Sequence, residues 1–480
     1  MQELLSTKLQ TQLIILETFL EMKSVTLQQL EEKTGTSKQT IVKQIEELEK
    51  QLVFFQTTKR KNTWYLQKNN HLNYSTAYDY FYQHSLHLQL LYFIFLHPFT
   101  TTSEIVQTFN LSKTKFQNIK KQLVTGLGYY GFSITDSPFC FTGNFNKLCQ
   151  FFEVFLSEKF YSFNEYMLPK EQELIEQILQ GFADIPNFSV LQQQQKLKKC
   201  VWVIIKLSAH FPKIKNTKKI VMFNKHSIVI DHSQFKEVFQ LPYTDEIQKK
   251  LTECYLAFKN PILPSKMKQK KEALITLITH LYELFGQSKK FTIPPMIHTK
   301  LARYEGISYL INHEKKRFIF EFFKHNGNFS LHISQSLLNE LITFRNAIND
   351  DSLFYELLYL LLIHDTYLTN LIINKQQVKK VGLLFTYSKA HNSLLVSLLK
   401  NLFQESLTFE VLDFSDCTSP HQLFLSFDYC ITNMSAYRST NSILLDAYPS
   451  ECEIHDLNQL FQHSPFKSML EVLKKPLPKI

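Results

Sequence analysis

Apolar residues recur at helical spacing along most of this chain. Near its start, Leu9, Leu13, Leu16 and Leu20 stand three or four positions apart, which predicts a helix over residues 8–21. Glutamine, threonine and glutamate fill several of the positions between them. The predicted helix therefore has one face for a core and one face for water.

A longer pattern of polar and apolar residues occurs twice in the same region. Residues 26–48 and 101–123 have Thr, Ser, Lys, an apolar residue and Leu at matching offsets, with Ser37-Lys38 in the first copy and Ser112-Lys113 in the second. Each copy predicts a short helix, a tight turn and a second, amphipathic helix. This is the helix-turn-helix plan, in which the second helix contacts DNA. The repeat therefore indicates a DNA-binding regulator.

Polar residues next to the predicted turns match capping boxes, in which side chains satisfy the free amides of a helix start. The pairs are Thr26 with Gln29, Thr36 with Gln39, and Thr101 with Glu104.

The residues after each second helix predict a wing. Residues 53–66 read as two short strands around the basic turn Lys59-Arg60-Lys61, so residues 1–70 are predicted to form a winged helix-turn-helix. The second unit is predicted over residues 71–146. It has an apolar helix over about 84–97, which ends before a proline, and a second wing without lysine or arginine from Phe132 to Phe141.

The outward positions of the two second helices are the candidate DNA contacts. Lysines bind phosphate and release counterions, whereas amide side chains read base edges. Phosphate would repel Glu46, Glu47 and Glu49, so only the start of the first of these helices is expected to approach DNA. A solvated polar face is the alternative interpretation. The candidates are Lys38, Gln39, Thr40, Lys43 and Gln44 on the first helix, Lys59, Arg60 and Lys61 in the wing turn, and Lys113, Thr114, Lys115, Gln117, Asn118, Lys120 and Lys121 on the second helix.

The overall charge is compatible with a nucleic-acid partner but does not require one. The net charge is +10. Nine lysines and no acid lie between residues 191 and 230. This stretch is open to interpretation as a solvated face, as an accessory DNA patch, or as a basic setting for a phosphorylated histidine.

Helical patterns continue to about residue 375. Pro261 and Pro264 mark a break between two predicted helical bundles, over residues 147–262 and 263–376. Short apolar runs within residues 307–323 predict a hairpin in the second bundle. The predicted helices cover residues 148–160, 171–182, 192–210, 245–258, 268–285, 334–347 and 352–373.

The last part of the chain, residues 377–480, changes character. Buried strands at 381–385, 407–414 and 427–433 alternate with a helix over 393–403. Alternation of this kind predicts a small parallel α/β domain.

Several classes of protein are disfavoured. Seven cysteines are scattered without a Cys-x-x-Cys motif, so neither a disulfide framework nor a zinc site is expected. The apolar runs at 90–96 and 357–363 are too short to span a bilayer. Walker A, His-Glu-x-x-His and Gly-x-Ser-x-Gly motifs are absent from the sequence. We therefore expect a cytoplasmic protein that is not an enzyme, with no metal and no cofactor.

This layout resembles the Mga/AtxA class of Gram-positive transcriptional regulators. The best local matches are the helices at Ser37-Lys38 and Ser112-Lys113 and the segment Phe141-Thr-Gly-Asn-Phe145. The resemblance covers essentially the whole chain. It implies a mainly α, multidomain fold with two winged helix-turn-helix units, two bundles similar to phosphotransferase-regulation domains (PRDs), and a C-terminal α/β domain similar to a sugar-transport IIB subunit.

The resemblance also implies control by histidine phosphorylation, with phosphocarrier proteins of the sugar phosphotransferase system as partners. His210, His280 and His364 become candidate phosphoacceptors, since neutral imidazole accepts phosphate. Hydrogen-bonded structural histidines are the alternative. A catalytic IIB domain needs a cysteine after its first strand, but that loop reads Phe385-Thr-Tyr-Ser-Lys389. The domain is therefore expected not to transfer phosphate but to serve in homodimerisation or as a scaffold.

Two functions remain open at this point. One is a homodimeric transcriptional regulator that binds double-stranded DNA through both N-terminal units. The other is an interaction protein of sugar-transport signalling that has lost DNA binding.

Overall fold

The computed structural model is mainly helical and forms two compact units. The first unit is Met1–Leu263 with Thr299–His313, and the second is Pro264–His298 with Glu314–Ile480. The structure describes the whole chain except residues 1–3, 23, 68–71, 160–166, 186–190, 212–220, 224–225, 229, 287–292, 328, 375–378, 386–388, 404–406, 413–426, 434–441, 446–448, 451–452, 455–456, 458–469 and 475–480.

The first helix-turn-helix has the predicted wing and one strand more. Antiparallel pairing gives the three-stranded order β1-β3-β2, so the unpredicted strand β1 closes the wing against the helices. The elements are α1 (Thr7–Met22), β1 (Ser24–Thr26), α2 (Leu27–Thr34), α3 (Lys38–Gln51), β2 (Thr57–Arg60) and β3 (Thr63–Leu66).

The caps of this unit are partly as predicted. Thr26 and Gln29 form the predicted capping box at the start of α2. The predicted box of Thr36 with Gln39 is wrong, because Ser37 is the N-cap of α3 and its side chain accepts from the Thr40 amide at 3.4 Å.

The second helix-turn-helix begins with one helix more than was predicted. The apolar helix predicted over about 84–97 is confirmed as α5, which Ser85 caps and which ends before His97. The preceding helix α4 was not predicted. The predicted box of Thr101 with Glu104 is present at the start of α6. The elements are α4 (Tyr74–His84), α5 (Leu86–Leu96), α6 (Thr102–Thr108), α7 (Lys113–Gly128), β4 (Ser133–Ile134) and β5 (Phe141–Thr142).

A helical region completes the first unit. One hydrophobic core runs through both helix-turn-helix units and this region, from Leu4 to Ile311. Buried phenylalanines such as Phe95 and Phe152, whose rings stack at 4.1 Å, join the two parts. The elements are α8 (Phe145–Lys159), α9 (Pro169–Gln180), α10 (Leu191–Ser208), β6 (Val221–Phe223), β7 (His226–Ile228), α11 (His232–Phe239) and α12 (Asp245–Lys259).

The second unit begins with further helices. The predicted hairpin over 307–323 is wrong, since residues 314–326 are helical. The single helix predicted over 352–373 is also wrong, since two helices meet there at 87°. The elements are α13 (Ser265–Leu284), α14 (Pro295–Arg303), which ends in the first unit, α15 (Glu314–Asn326), α16 (Leu331–Ile348), α17 (Asp351–His364) and α18 (Thr366–Asn374).

None of the described helices is by itself long and apolar enough to cross a membrane. The bent pair α17 and α18 meets that test only jointly, by length and composition.

The C-terminal part of the second unit is the predicted parallel α/β arrangement, with a fourth strand that was not predicted. The sheet has the order β11-β10-β8-β9, and every pair in it is parallel. Val381, Leu383, Leu399 and Ile431 are buried in its core. The elements are β8 (Lys379–Leu384), α19 (Lys389–Phe403), β9 (Leu407–Val411), β10 (Tyr429–Thr432), β11 (Ser442–Leu444) and α20 (Glu471–Lys474).

Residues 299–313, which we call the strap, lie in the first unit although the sequence places them in the second bundle. Three side chains of α8 hold the strap. Gln150 accepts from the amides of Glu305 and Ile307 at 2.7 and 3.1 Å. Glu158 is partly buried and accepts hydrogen bonds from three consecutive strap amides, those of Leu310, Ile311 and Asn312, at 2.5 to 3.0 Å. The third, Glu153, pairs with Arg303 at 3.0 Å. These bonds satisfy backbone groups that no regular element pairs.

Candidate nucleic-acid interface

Helix α7 presents the largest set of candidate DNA contacts. Ser112 caps it by accepting from the Lys115 amide at 3.2 Å, so the helix starts where the sequence predicts. Phe116, Ile119, Leu123 and Leu127 form its buried face. The opposite face is open to solvent, and a helix amino end of this kind favours negative charge. Its exposed candidates are Lys113, Thr114, Lys115, Gln117, Asn118 and Lys121.

Lys120 is the exception among the candidates on α7. Its side chain is 16% exposed and forms an ion pair with Asp136. The ammonium lies 5.3 Å from the centre of the Phe139 ring. The hydrogen bond that the Lys120 ammonium donates to Asp136, together with the positive charge of Lys120, lowers the pKa of Asp136 below its ordinary value. Lys120 therefore links α7 to its wing and is not free to contact phosphate.

The second half of α7 borders a groove that the sequence did not indicate. Asn118, Lys121 and Gln122 line one side, and Thr7 and Gln10 at the start of α1 line the other, around a volume of about 510 Å³. The first turn of α7 is outside this groove. Spacing within α7 cannot show that α1 lies beside it, because the two helices are far apart in sequence.

Helix α3 exposes a smaller polar face. Lys38, Gln39, Thr40 and Lys43 are exposed, and Lys38 lies 3.8 Å from the Glu31 carboxylate. The prediction that Gln44 points outward is wrong, because the residue is only 8% exposed and belongs to the buried face.

The acids in the second half of α3 are mostly engaged within the protein. Glu47 pairs with Lys8 at 2.6 Å. The Glu49 carboxylate accepts from the amide and the hydroxyl of Thr57 at 2.7 and 2.6 Å, which fixes strand β2 to α3. Glu46 is exposed. The positive part of this helix is therefore its first turn and a half.

The wing of the first helix-turn-helix carries its basic residues at the tip. Lys59, Arg60 and Lys61 are all exposed. The Lys59 ammonium lies 5.6 Å from the Trp64 ring centre, and the Arg60 guanidinium lies 5.9 Å from that of Tyr65. These cation–π contacts hold both cations close to the wing. Lys61 adopts φ 52°, in the left-handed region, at the turn itself.

Side-chain bonds fix the two helix-turn-helix units to each other. The hydroxyl of Tyr78 on α4 donates to Glu17 on α1, and that of Tyr80 donates to Gln51 at the end of α3. Both tyrosines are buried. The distance between the exposed faces of α3 and α7 is therefore set by packing within one core.

The second of these units has a known counterpart. Residues 70–156 match the family model of the Mga helix-turn-helix domain. The resemblance to the Mga/AtxA regulators that the sequence indicated is thereby confirmed, and the match indicates a DNA-binding regulator. The helices and strands of the first helix-turn-helix, from α1 to β3, lie outside the matched residues. No curated protein sequence matches the chain.

The match to the Mga domain, residues 70–156, extends beyond the second helix-turn-helix into α8. Gln150 and Glu153, two of the residues that hold the strap, therefore belong to the matched region. The strap is in direct contact with the domain that carries α7.

The basic stretch at residues 191–230 is used within the protein where it is described. Lys198 pairs with Glu176 at 2.5 Å, and the Lys199 ammonium donates to Ser157 at 2.6 Å. Lys206 pairs with the buried Glu171 at 2.6 Å. An accessory DNA patch on α10 is not supported by these contacts. The remaining lysines of the stretch lie outside the described residues, apart from Lys196, which lies over the Phe258 ring.

The three candidate histidines occupy different environments. His210 is buried, accepts from the Phe141 amide at Nδ1 (3.4 Å), and has Nε2 at 3.1 Å from the Phe95 carbonyl oxygen. Burial lowers its pKa to about 4, against the opposing effect of the Phe95 hydrogen bond. Both ring nitrogens are engaged, which favours the structural interpretation of this residue.

The other two histidines are exposed. His280 on α13 has Nδ1 at 2.8 Å from the Glu340 carboxylate of α16. His364 is the last residue of α17. Its neighbour Asp365 is buried and accepts a hydrogen bond from the Tyr282 hydroxyl.

Proposed function

We propose that this protein is a transcriptional regulator that binds double-stranded DNA through both N-terminal units. The observation that carries the proposal is the pair of Ser-capped helices, α3 and α7, with open polar faces fixed within one core. The exposed lysines supply phosphate contacts, and Gln117 and Asn118 supply groups able to read base edges.

A binding experiment with two duplexes tests this function. Fluorescence anisotropy with labelled AT-rich promoter DNA and with a random duplex, from 50 to 200 mM salt, measures affinity and its salt dependence. We expect binding to both, with affinity falling steeply as salt rises. Absence of binding at low salt to either duplex would favour the alternative, an interaction protein of sugar-transport signalling.

We further propose that His280 and His364 accept phosphate from phosphocarrier proteins, and that His210 does not. The Glu340 carboxylate holds His280 by Nδ1, which leaves Nε2 with a lone pair for phosphate. Incubation with the general phosphotransferase components should place acid-labile phosphate on the chain. The H280A and H364A variants should lose it stepwise. The matched control is H325A, which removes an exposed histidine that lies 3.4 Å from Glu321.

We also propose the domain roles that the resemblance implies: PRD-like bundles over 147–262 and 263–376, and dimerisation through an IIB-like domain over 377–480. Four parallel strands and a first loop without cysteine support a non-catalytic role for the last domain. Light scattering of the full chain and of a chain ending at residue 376 tests this role. A dimer that persists in the shorter chain would contradict it.

A further inference from the structure

A cavity of about 780 Å³ lies beside the second wing, within the first unit. Its walls come from parts of the chain that are far apart in the sequence, namely the wing around β4 and β5, the end of α10 and the start of α12. Ser137 and Thr142, two of the lining residues, are exposed, so the cavity is open to solvent. A volume of this size is typical of sites for small organic molecules.

Four aromatic rings line this cavity. They belong to Phe99, Phe141, Phe145 and Phe211. The rings of Phe145 and Phe211 meet edge to face, with their centres 5.4 Å apart. An aromatic face carries partial negative charge, so it stacks with another ring and also attracts a cation. The walls therefore suit a ligand with an apolar or aromatic body, and they favour a positive charge over a negative one.

Three polar residues of the lining offer a ligand no free charge. Asp136 forms its ion pair with Lys120. The Lys250 ammonium lies 3.0 Å from the Glu253 carboxylate, so its charge is compensated. His210 is uncharged near neutral pH, because burial lowers its pKa to about 4.

Glu246 is the remaining acid of the lining. It stands in the first turn of α12 and is half-buried. Its carboxylate forms no hydrogen bond or ion pair with any residue in the described part of the chain. The amino end of a helix carries about half a positive charge, but Asp245 in the same turn also offsets that charge. A cationic ligand would therefore supply the partner that Glu246 lacks.

We propose that this cavity binds a small organic cation, with its apolar or aromatic body against the four phenylalanines and its ammonium or amidinium group beside Glu246. A neutral compound of the same shape leaves this carboxylate without a partner, and an anionic one is repelled by it. The site is separate from the DNA-binding faces of α3 and α7, since none of their candidate contacts is among the described residues that line it.

The position of the cavity connects a bound ligand with α7. Thr135 and Asp136 of the second wing line it, and Asp136 pairs with Lys120 on α7. A ligand that contacts the wing on one side and α10 and α12 on the other restrains the wing, and with it the support that the wing gives to α7. This consequence rests on the proposed DNA-binding function, whereas the binding of the ligand does not.

A ligand-observed NMR titration of the full-length protein with three indole compounds of similar shape tests the site. Tryptamine carries an ammonium group, tryptophol a hydroxyl group and indole-3-acetate a carboxylate. We expect tryptamine to bind about tenfold more tightly than tryptophol, because a hydrogen bond to a charged group is the stronger kind, and indole-3-acetate to bind least. Equal affinities for the three compounds, or no binding of tryptamine at millimolar concentration, would overturn the proposal.

Variants then locate the bound tryptamine. E246Q removes the charge and keeps the shape, so it should weaken tryptamine about tenfold and leave tryptophol unchanged. The matched control is D245N, which removes an acid from the same turn of α12 but from outside the cavity lining, and it should leave the affinity for tryptamine unchanged. F211L keeps an apolar side chain but removes an aromatic face, so it should weaken tryptamine more than tryptophol. Equal losses in E246Q and D245N would contradict the assignment to this cavity.

Fluorescence anisotropy with promoter DNA, with and without saturating tryptamine, tests the connection with α7. We expect tryptamine to change the DNA affinity of the wild type and not that of E246Q. The same change in both proteins would show that tryptamine acts elsewhere and would contradict the connection. Because the NMR titration contains no DNA, failure of the protein to bind any duplex would refute the proposed function alone, and failure to bind tryptamine would refute the ligand site alone.

Discussion

Replacement of Lys113, Lys115 and Lys121 by alanine should weaken binding to every duplex and flatten its salt dependence. All three side chains are exposed on α7, and none pairs with an acid in the described part of the chain. Lys120 is left unchanged, since its ion pair with Asp136 and its contact with Phe139 support the wing. The triple variant therefore removes charge from the proposed contact face without removing a structural contact.

The magnitude follows from counterion release. Each phosphate contact contributes about 0.9 to the slope of log affinity against log salt, so three contacts contribute about 2.7. At about 0.1 M salt the same relation predicts a loss of affinity of roughly 500-fold, or about 3.7 kcal/mol. The loss should be similar for specific and random duplexes, because phosphate contacts carry no sequence information.

Fluorescence anisotropy between 50 and 200 mM salt measures both quantities, and circular dichroism checks that the variant is folded. The matched control replaces three exposed lysines elsewhere, Lys249, Lys266 and Lys268, and keeps the same net charge as the test variant. The control should stay within about twofold of the wild type, with an unchanged slope. Parallel salt slopes for the wild type and the α7 variant would refute the assignment of this face to DNA.

Three further predictions concern stability, measured by urea unfolding. Glu158→Ala leaves three strap amides and the Tyr82 hydroxyl without their acceptor, so it should lower the free energy of unfolding by about 3 kcal/mol or more. Glu158→Gln keeps one oxygen and should lower it by less. Equal losses for the two variants would contradict this account. Burial lowers the pKa of His210 to about 4, so the unfolded chain takes up a proton at this residue at a higher pH than the folded protein does. Stability is therefore unaffected above about pH 6.5, and about 3 kcal/mol of the free energy of unfolding should be lost as the pH falls to 4. His210→Gln should flatten this dependence of stability on pH. Ser37→Ala should lower the free energy of unfolding by about 1 kcal/mol and Thr36→Ala by clearly less, because Ser37 is the N-cap of α3. A larger loss for Thr36→Ala would favour the capping box of Thr36 with Gln39 instead.

The sequence predicted the two helix-turn-helix units well because the pattern that determines them is local. Caps, turns and apolar spacing within some twenty residues determine each helix-turn-helix, and both second helices begin beside the predicted serines. The errors on α3 and α7 concern single residues. Gln44 stands three residues after Ile41 and four before Leu48, so its spacing placed it on the buried face although its amide suggested otherwise. Lys120 likewise lies at the edge of the apolar stripe of α7, four residues after Phe116.

Contacts between segments that are far apart in the sequence could not be predicted from the spacing of residue types. The strap has no apolar periodicity of its own, and its bonds join residues that are about 150 positions apart, such as Gln150 and Glu305. The contact of Arg303 with the Cys200 sulfur is another of this kind, since it joins α14 to α10.

The strap also bears on how a signal in the second unit would reach the DNA-binding end. The chain enters the first unit at Thr299 and leaves it at His313, and it belongs to the second unit on either side. Within that passage it binds Gln150 and Glu153, which lie in the Mga domain on α8. Phosphorylation at His280 or His364 would therefore have a route to α8 along the chain to residues 299–313 and through their hydrogen bonds. Weakening the strap at Glu158 should then change DNA affinity even though no residue of α3 or α7 is altered.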